Sequence, residues 1–140
     1  MTLNEPDEIR RAFGCYPTGV AIVTTVAPDG SRVGMTISSF NSVSLDPPLI
    51  LWNIANESCN YAAFAETDHF AVHVLADRQG DLSTRFAART GDKFEGLDCG
   101  AGIEGNPILP EFAACFQCVT EHRYECGDHV IIVGRVLDFE

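Results

Sequence analysis

Short apolar runs alternate with turn-forming clusters along this chain, and most of the runs have the length of a strand. "GVAIVTTVAPDGSRVGMTIS" (19–38) holds two β-branched runs on either side of Pro28-Asp29-Gly30, the chemistry of a hairpin turn. "LILWNI" (49–54) reads as a short buried strand and "HFAVHVLA" (69–76) as another. "FAACFQCVTEHRYECGDHVIIVGRVLDFE" (112–140) predicts two more, broken near His122 to Asp128. Helical signals occur in three places. Asn4 followed by Pro6, Asp7 and Glu8 reads as a helix start, with the helix running to Phe13 or Cys15 before Pro17 and Gly19 close it. "ESCNYAAFAE" starts near Ser58 or Asn60 and spaces Tyr61, Phe64 and Ala65 for one face, and "QGDLSTRFAA" is a further short helix. The Gly-rich stretch 91–110 reads as a loop with little regular structure. Six or seven strands with two or three short helices predict one mainly β domain over residues 1–140, with a closed or nearly closed sheet.

"GMTISSFNSVSLDPP" (34–48) departs from the usual alternation. Read as extended chain, it puts Met35, Ile37, Val43 and Leu45 on one side and Thr36, Ser38, Ser42 and Ser44 on the other. Solvated strand faces normally carry charge, and between Met35 and Leu45 there is none. Two readings stay open: a cradle for a planar ligand with polar edges, and a barrel wall whose small polar residues pack against a helix or another subunit.

Composition narrows the class. Hydrophobic residues make up 46% and charged residues 21% of 140, which places the chain among folded globular domains. A net charge of -11 argues against nucleic acid or anionic lipid as partner, since both need a basic footprint. An anionic ligand would have to be held by a few local groups, and Arg85, Arg89 and Lys93 are close in sequence. The N-terminus lacks the apolar core of a signal peptide, and no run approaches about 18 apolar residues, so a cytoplasmic, non-membrane protein is expected. On that compartment the six cysteines read as reduced thiols.

Each candidate site has a plainer counterpart. The helix start at Ser58 and Asn60 has the donors to bind phosphate, but ordinary N-capping is the commoner role and Glu57 adjoins it. Arg85, Arg89 and Lys93, with Phe86 and Phe94 among them, can meet a phosphate or form a solvated face paired with Asp81, Asp92 and Glu95, and the second reading is preferred. Cys115, Cys118, His122 and Cys126 have zinc-like spacing, yet residues three apart on a strand point to opposite faces, so they read as core thiols with no metal. His129 opens an apolar strand after Gly127-Asp128, a position where a polar end cap is commoner than a catalyst. With no P-loop, GxGxxG or Ser/His/Asp ordering, any chemistry is expected to belong to a bound cofactor.

"RRAFGCYPTGVAIVTT", "GMTISSFNSVSLDPPLIL", "HFAVHVLA", "GDKFEG" and "GDHVIIVGRVLDFE" together resemble the flavin reductase family, the short-chain NAD(P)H:flavin oxidoreductases, over Ile9 to Glu140. The resemblance implies an FMN-binding split β-barrel with a few flanking helices, working as a homodimer with flavin near the subunit interface. It implies FMN or FAD as flavin, NADH or NADPH as donor, and delivery of reduced flavin to a partner monooxygenase; a flavin-binding carrier or sensor without reductase activity is the alternative. Thr36, Ser38, Ser39, Phe40 and Asn41 would contact flavin, Ser58 and Asn60 its phosphate, with Phe86, Lys93 and Phe94 nearby, and His129 the nicotinamide. Cys59 stands where members similar to this carry a basic residue beside the phosphate-binding serine, which implies weaker phosphate affinity. The family's C-terminal segment after the last strand is missing, so a partner subunit or a further C-terminal piece is expected to close the barrel.

Overall fold

A computed structural model describes residues 5–140. In chain order the elements are α1 (Pro6–Phe13), β1 (Ala21–Val26), β2 (Arg32–Ile37), β3 (Asn41–Leu45), β4 (Pro48–Ala55), α2 (Tyr61–Ala65), β5 (His69–Val74), α3 (Gly80–Ala87), β6 (Gly100–Ala101), β7 (Pro107–Ile108), β8 (Ala114–Cys126) and β9 (His129–Phe139). Seven strands form one antiparallel sheet in the order β2-β1-β5-β8-β9-β4-β3, and β6 pairs with β7 alone. The expected mainly β architecture with three short helices is what the chain adopts.

The order of strands dictates the shape of the sheet. β2 and β3 lie at opposite edges yet are joined by only Ser38, Ser39 and Phe40. In a flat sheet six gaps of about 4.8 Å would separate those edges by about 29 Å. The short link spans at most about 14 Å. The sheet is therefore rolled, with its two edges brought together around a single interior. Val23, Ile37, Trp52, Phe70, Cys118 and Ile132, from β1, β2, β4, β5, β8 and β9, form one buried cluster that fills it. Trp52 meets Phe64 of α2 and Phe70 edge-on, with ring centroids 5.0 and 5.8 Å apart.

A second, smaller core lies outside the roll. Ile22, on the outer side of β1, packs with Phe86, Phe94 and Leu109 beneath α3 and the long segment before β8. His73 on β5 anchors that segment: its Nδ1 lies 3.1 Å from the Ile22 carbonyl, and its Nε2 accepts the Leu109 N–H at 3.1 Å. The carbonyl can only accept, so Nδ1 carries the proton and the ring is neutral. Burial pushes its pKa down from 6.5 to about 4.

Several local expectations change. The hydroxyl stretch is not one strand. β2 ends at Ile37 and the chain bends through 38–40 before β3, so Thr36 and Ser42 belong to opposite edges of the sheet. β8 is not broken at His122 but runs on to Cys126, accommodating a register shift between Thr120 and His122. The turn is only Gly127-Asp128, with Cys126 opposite His129; Gly127 has φ of 64° and Asp128 does not share the positive sign, the pattern of a type II′ hairpin. The stretch 91–110 carries the small β6–β7 ladder. The Pro28-Asp29-Gly30 turn forms as expected, with Asp29 Oδ1 accepting from the Ser31 N–H and hydroxyl. Asn4 lies outside the described residues, and the residue at the N-cap of α1 is Glu5.

Candidate functional site

One rim of the rolled sheet holds a cleft of about 550 Å³. Antiparallel pairing sets the end of β4 beside the start of β9, with Ala55 opposite His129. The segment after β4 contributes Glu57, Ser58, Cys59 and Asn60, β2 contributes Met35 and Thr36, and α3 with the residues after it contributes Phe86 to Arg89 and Lys93. Asp128 and His129 from the β8–β9 turn and Arg10 of α1 complete the lining. A smaller hollow of about 190 Å³ adjoins it, sharing Asn60, Arg89 and Lys93 and adding Arg32 and Phe94. Thus Arg10, Arg89 and Lys93 stand against Glu57 and Asp128, which makes the cleft locally cationic on a molecule of net charge -11.

The wall under the cleft explains Gly34. A Cβ there would come within 2.6 Å of Phe86 Cε1 and 3.1 Å of Phe94 Cζ. Without one, β2 lies directly on the Phe86–Phe94 pair, whose rings meet edge-on at 5.0 Å. Lys93 Nζ donates to the Gly34 carbonyl at 3.1 Å, and Arg32 lies over the Phe94 ring at 4.9 Å. Partial burial lowers the Lys93 pKa. The Thr36 hydroxyl donates to the Ser83 carbonyl of α3 at 2.6 Å, so on β2 the small polar residue packs against a helix as well as bordering the cleft.

The β8–β9 turn is held from beneath. The Asn56 N–H donates to the Asp128 carbonyl at 2.9 Å, and Asn56 Nδ2 reaches the Gly127 carbonyl at 3.4 Å. On this platform His129 Nδ1 lies 2.7 Å from Asp128 Oδ1. The hydrogen bond from His129, with a smaller contribution from Arg10, holds the Asp128 carboxyl below its ordinary pKa.

Of the residues singled out from the sequence, Thr36, Ser58, Asn60, Phe86, Lys93 and His129 border this cleft, and Phe94 borders the adjoining hollow. Phe86 and Phe94 are only 0% and 3% exposed, so they form its floor. The bend residues lie apart from its lining. Ser39 Oγ accepts the Asn53 N–H at 2.9 Å, Phe40 stacks on Phe116 at 5.6 Å, and Ser38 and Asn41 are exposed. α2 begins at Tyr61 and has five residues, so Ser58 precedes the helix, where its Oγ accepts the Asn60 N–H at 3.2 Å. Arg85 parts from Arg89 and Lys93 and donates to the Glu95 carbonyl. Sequence reasoning missed Arg10, Met35 and Asp128 as cleft residues; the Gly-Asp pair before His129 was the available signal for the last of these.

Cys115 and Cys118 also find their places. Cys115 is paired with His73 on the outer side of β5, whereas Cys118 joins the interior cluster, so the two thiols do point to opposite faces. Burial pushes both pKa values up to about 12, as fits core thiols.

Comparison with known proteins adds to this geometry. FMN reductase (NADH) SmoA of Agrobacterium fabrum is 48% identical over 128 residues, covering 91% of this chain and 72% of that protein. The stachydrine N-demethylase reductase subunit Stc3 of Rhizobium meliloti is 41% identical over 136 residues, 97% of this chain and 59% of that protein. Another curated relative, the reductase component of a trigonelline monooxygenase from Acinetobacter baylyi, is spanned over 44% of its length. Among solved structures, the NADH:FAD oxidoreductase SgcE6 of Streptomyces globisporus, in complex with NAD and FAD fragments, superimposes with a TM-score of 0.90 at 35% identity, covering 100% of this chain and 86% of that one. The family model described as the flavin reductase like domain matches residues 13–140, and the chain belongs to that family.

Proposed function

We propose that the chain is an NAD(P)H:flavin oxidoreductase that supplies reduced flavin to a partner monooxygenase. The observation that carries this reading is the cleft itself, whose lining combines arginine and lysine side chains, hydroxyl and amide donors, and apolar surface. Its volume of about 550 Å³ lies in the range of small-molecule sites. Lys93, Arg89, Ser58 and Asn60 supply charge and donors for a phosphate, and Met35, Ala55, Ala87 and Ala88 supply apolar surface for a flat ring. Flavin and nicotinamide bring the chemistry, hydride transfer from nicotinamide C4 to flavin N5. The chain's own part is to hold the two rings face to face and keep water from between them. His129, at the start of β9, would position the nicotinamide, and Thr36 of β2 would border the flavin.

The relatives' names favour FMN and NADH as the first pair to test, and monooxygenase reductase components among them support such a partner. A homodimer belongs to the same reading. Val43 and Leu45 of β3 and Leu137 and Phe139 of β9 expose apolar side chains suited to a second copy.

An anaerobic titration of the protein with FMN, followed by NADH, tests the function. Binding followed by bleaching of the visible flavin band is expected, at a rate well above that of free FMN. Bound flavin that neither NADH nor NADPH bleaches would replace the reductase with a flavin-binding carrier.

A further inference from the structure

Among the described residues, His129 is the one histidine lining the cleft, and the carboxylate of its chain neighbour Asp128 lies against its ring. In a neutral imidazole one nitrogen donates and the other accepts. Oδ1 of ionised Asp128 can only accept, so at 2.7 Å it fixes the proton on Nδ1 and leaves the lone pair on Nε2. The platform does not depend on that contact: the turn is tied through the main-chain carbonyls of Gly127 and Asp128 to Asn56. The carboxylate side chain is thus free to act on the ring without holding up the hairpin.

We propose that Asp128 is a positioning residue, whose carboxylate holds the Nδ1–H form of His129 and presents Nε2 to the cleft as an acceptor for the carboxamide N–H of a nicotinamide. This rests on the reading that His129 meets the nicotinamide. It predicts an ordering that a merely structural carboxylate does not produce. Asp128→Ala frees the ring, but Asp128→Asn can offer its own N–H to Nδ1, which drives the proton to Nε2 and turns the acceptor into a donor. The isosteric change is therefore the more harmful one.

Nitrogen NMR of histidine-labelled protein reads the tautomer directly, and steady-state kinetics read its consequence. His73, which donates from Nδ1 and accepts at Nε2, is an internal reference for the Nδ1–H form. Expected are Nδ1–H at His129 in the native protein and Nε2–H in Asp128→Asn. The NADH KM of Asp128→Asn should rise about tenfold and exceed that of Asp128→Ala, with kcat changed by less than about twofold, on the scale of one lost hydrogen bond. An unchanged tautomer in Asp128→Asn, or a KM no higher than in Asp128→Ala, overturns the proposal alone. An unchanged NADH KM in His129→Ala overturns the nicotinamide reading beneath it, whatever the tautomer.

Discussion

His73 is a base that the fold requires to be uncharged, because its Nε2 must accept the Leu109 N–H. Above pH 6.5 neither the folded nor the unfolded chain protonates it, and its contribution is complete. Between 6.5 and about 4 the unfolded chain binds a proton that the folded one refuses, so stability falls as the pH falls. The loss from this group totals about 3 kcal/mol and levels off at lower pH. Urea unfolding across that interval should show the slope, and His73→Gln should remove the part due to this residue. Lys93 works at the same scale. Lys93→Met is expected to weaken FMN binding about tenfold, or about 1.4 kcal/mol, while riboflavin, which lacks the phosphate, is affected less in the same fluorescence titration. The sequence disclosed Lys93 as one of three neighbouring cations, but not which of them faced the cleft. That choice is made by the chain after α3, which sends Arg85 to the Glu95 carbonyl and Lys93 to Gly34.

At the scale of elements, β2 carries a close fit against α3. Gly34→Ala should destabilise by about 1–3 kcal/mol, the range for overpacking a filled core, because the new methyl meets the Phe86 ring in a fully buried place. A thermal melt measures it, and an unchanged midpoint would mean that α3 yields more easily than its packing indicates. Strand content was legible because β-branched runs bounded by Pro, Asp and Gly leave few alternatives, as the 19–38 hairpin shows. The bend at 38–40 was not, since Ser-Ser-Phe is compatible with an extended chain and only the pairing of β3 with β4, at the opposite edge of the sheet from β2, bends it. β8 was read as broken because its second half, from Glu121, is polar on both faces; that half is exposed and held by its ladder to β9.

For the whole molecule, surface apolar groups and charge decide association. Leu45 is 95% exposed at the end of an edge strand, and a Leu45→Asp variant should shift the proposed dimer toward monomer in analytical ultracentrifugation, while the monomer's circular dichroism stays native. The acidic remainder of the surface, with the cationic cleft at one rim, steers an anionic ligand toward that cleft. The strand order carries one more consequence, for biosynthesis. β4 has β3 and β9 as its sheet neighbours, and Trp52 is opposite Ile132, eighty residues later. A growing chain on the ribosome can close the 19–38 hairpin early, but the apolar "LILWNI" strand must wait for some eighty further residues before its second partner exists. During that interval the nascent protein displays the side chains that later fill its centre, and it is then that chaperones have something to hold.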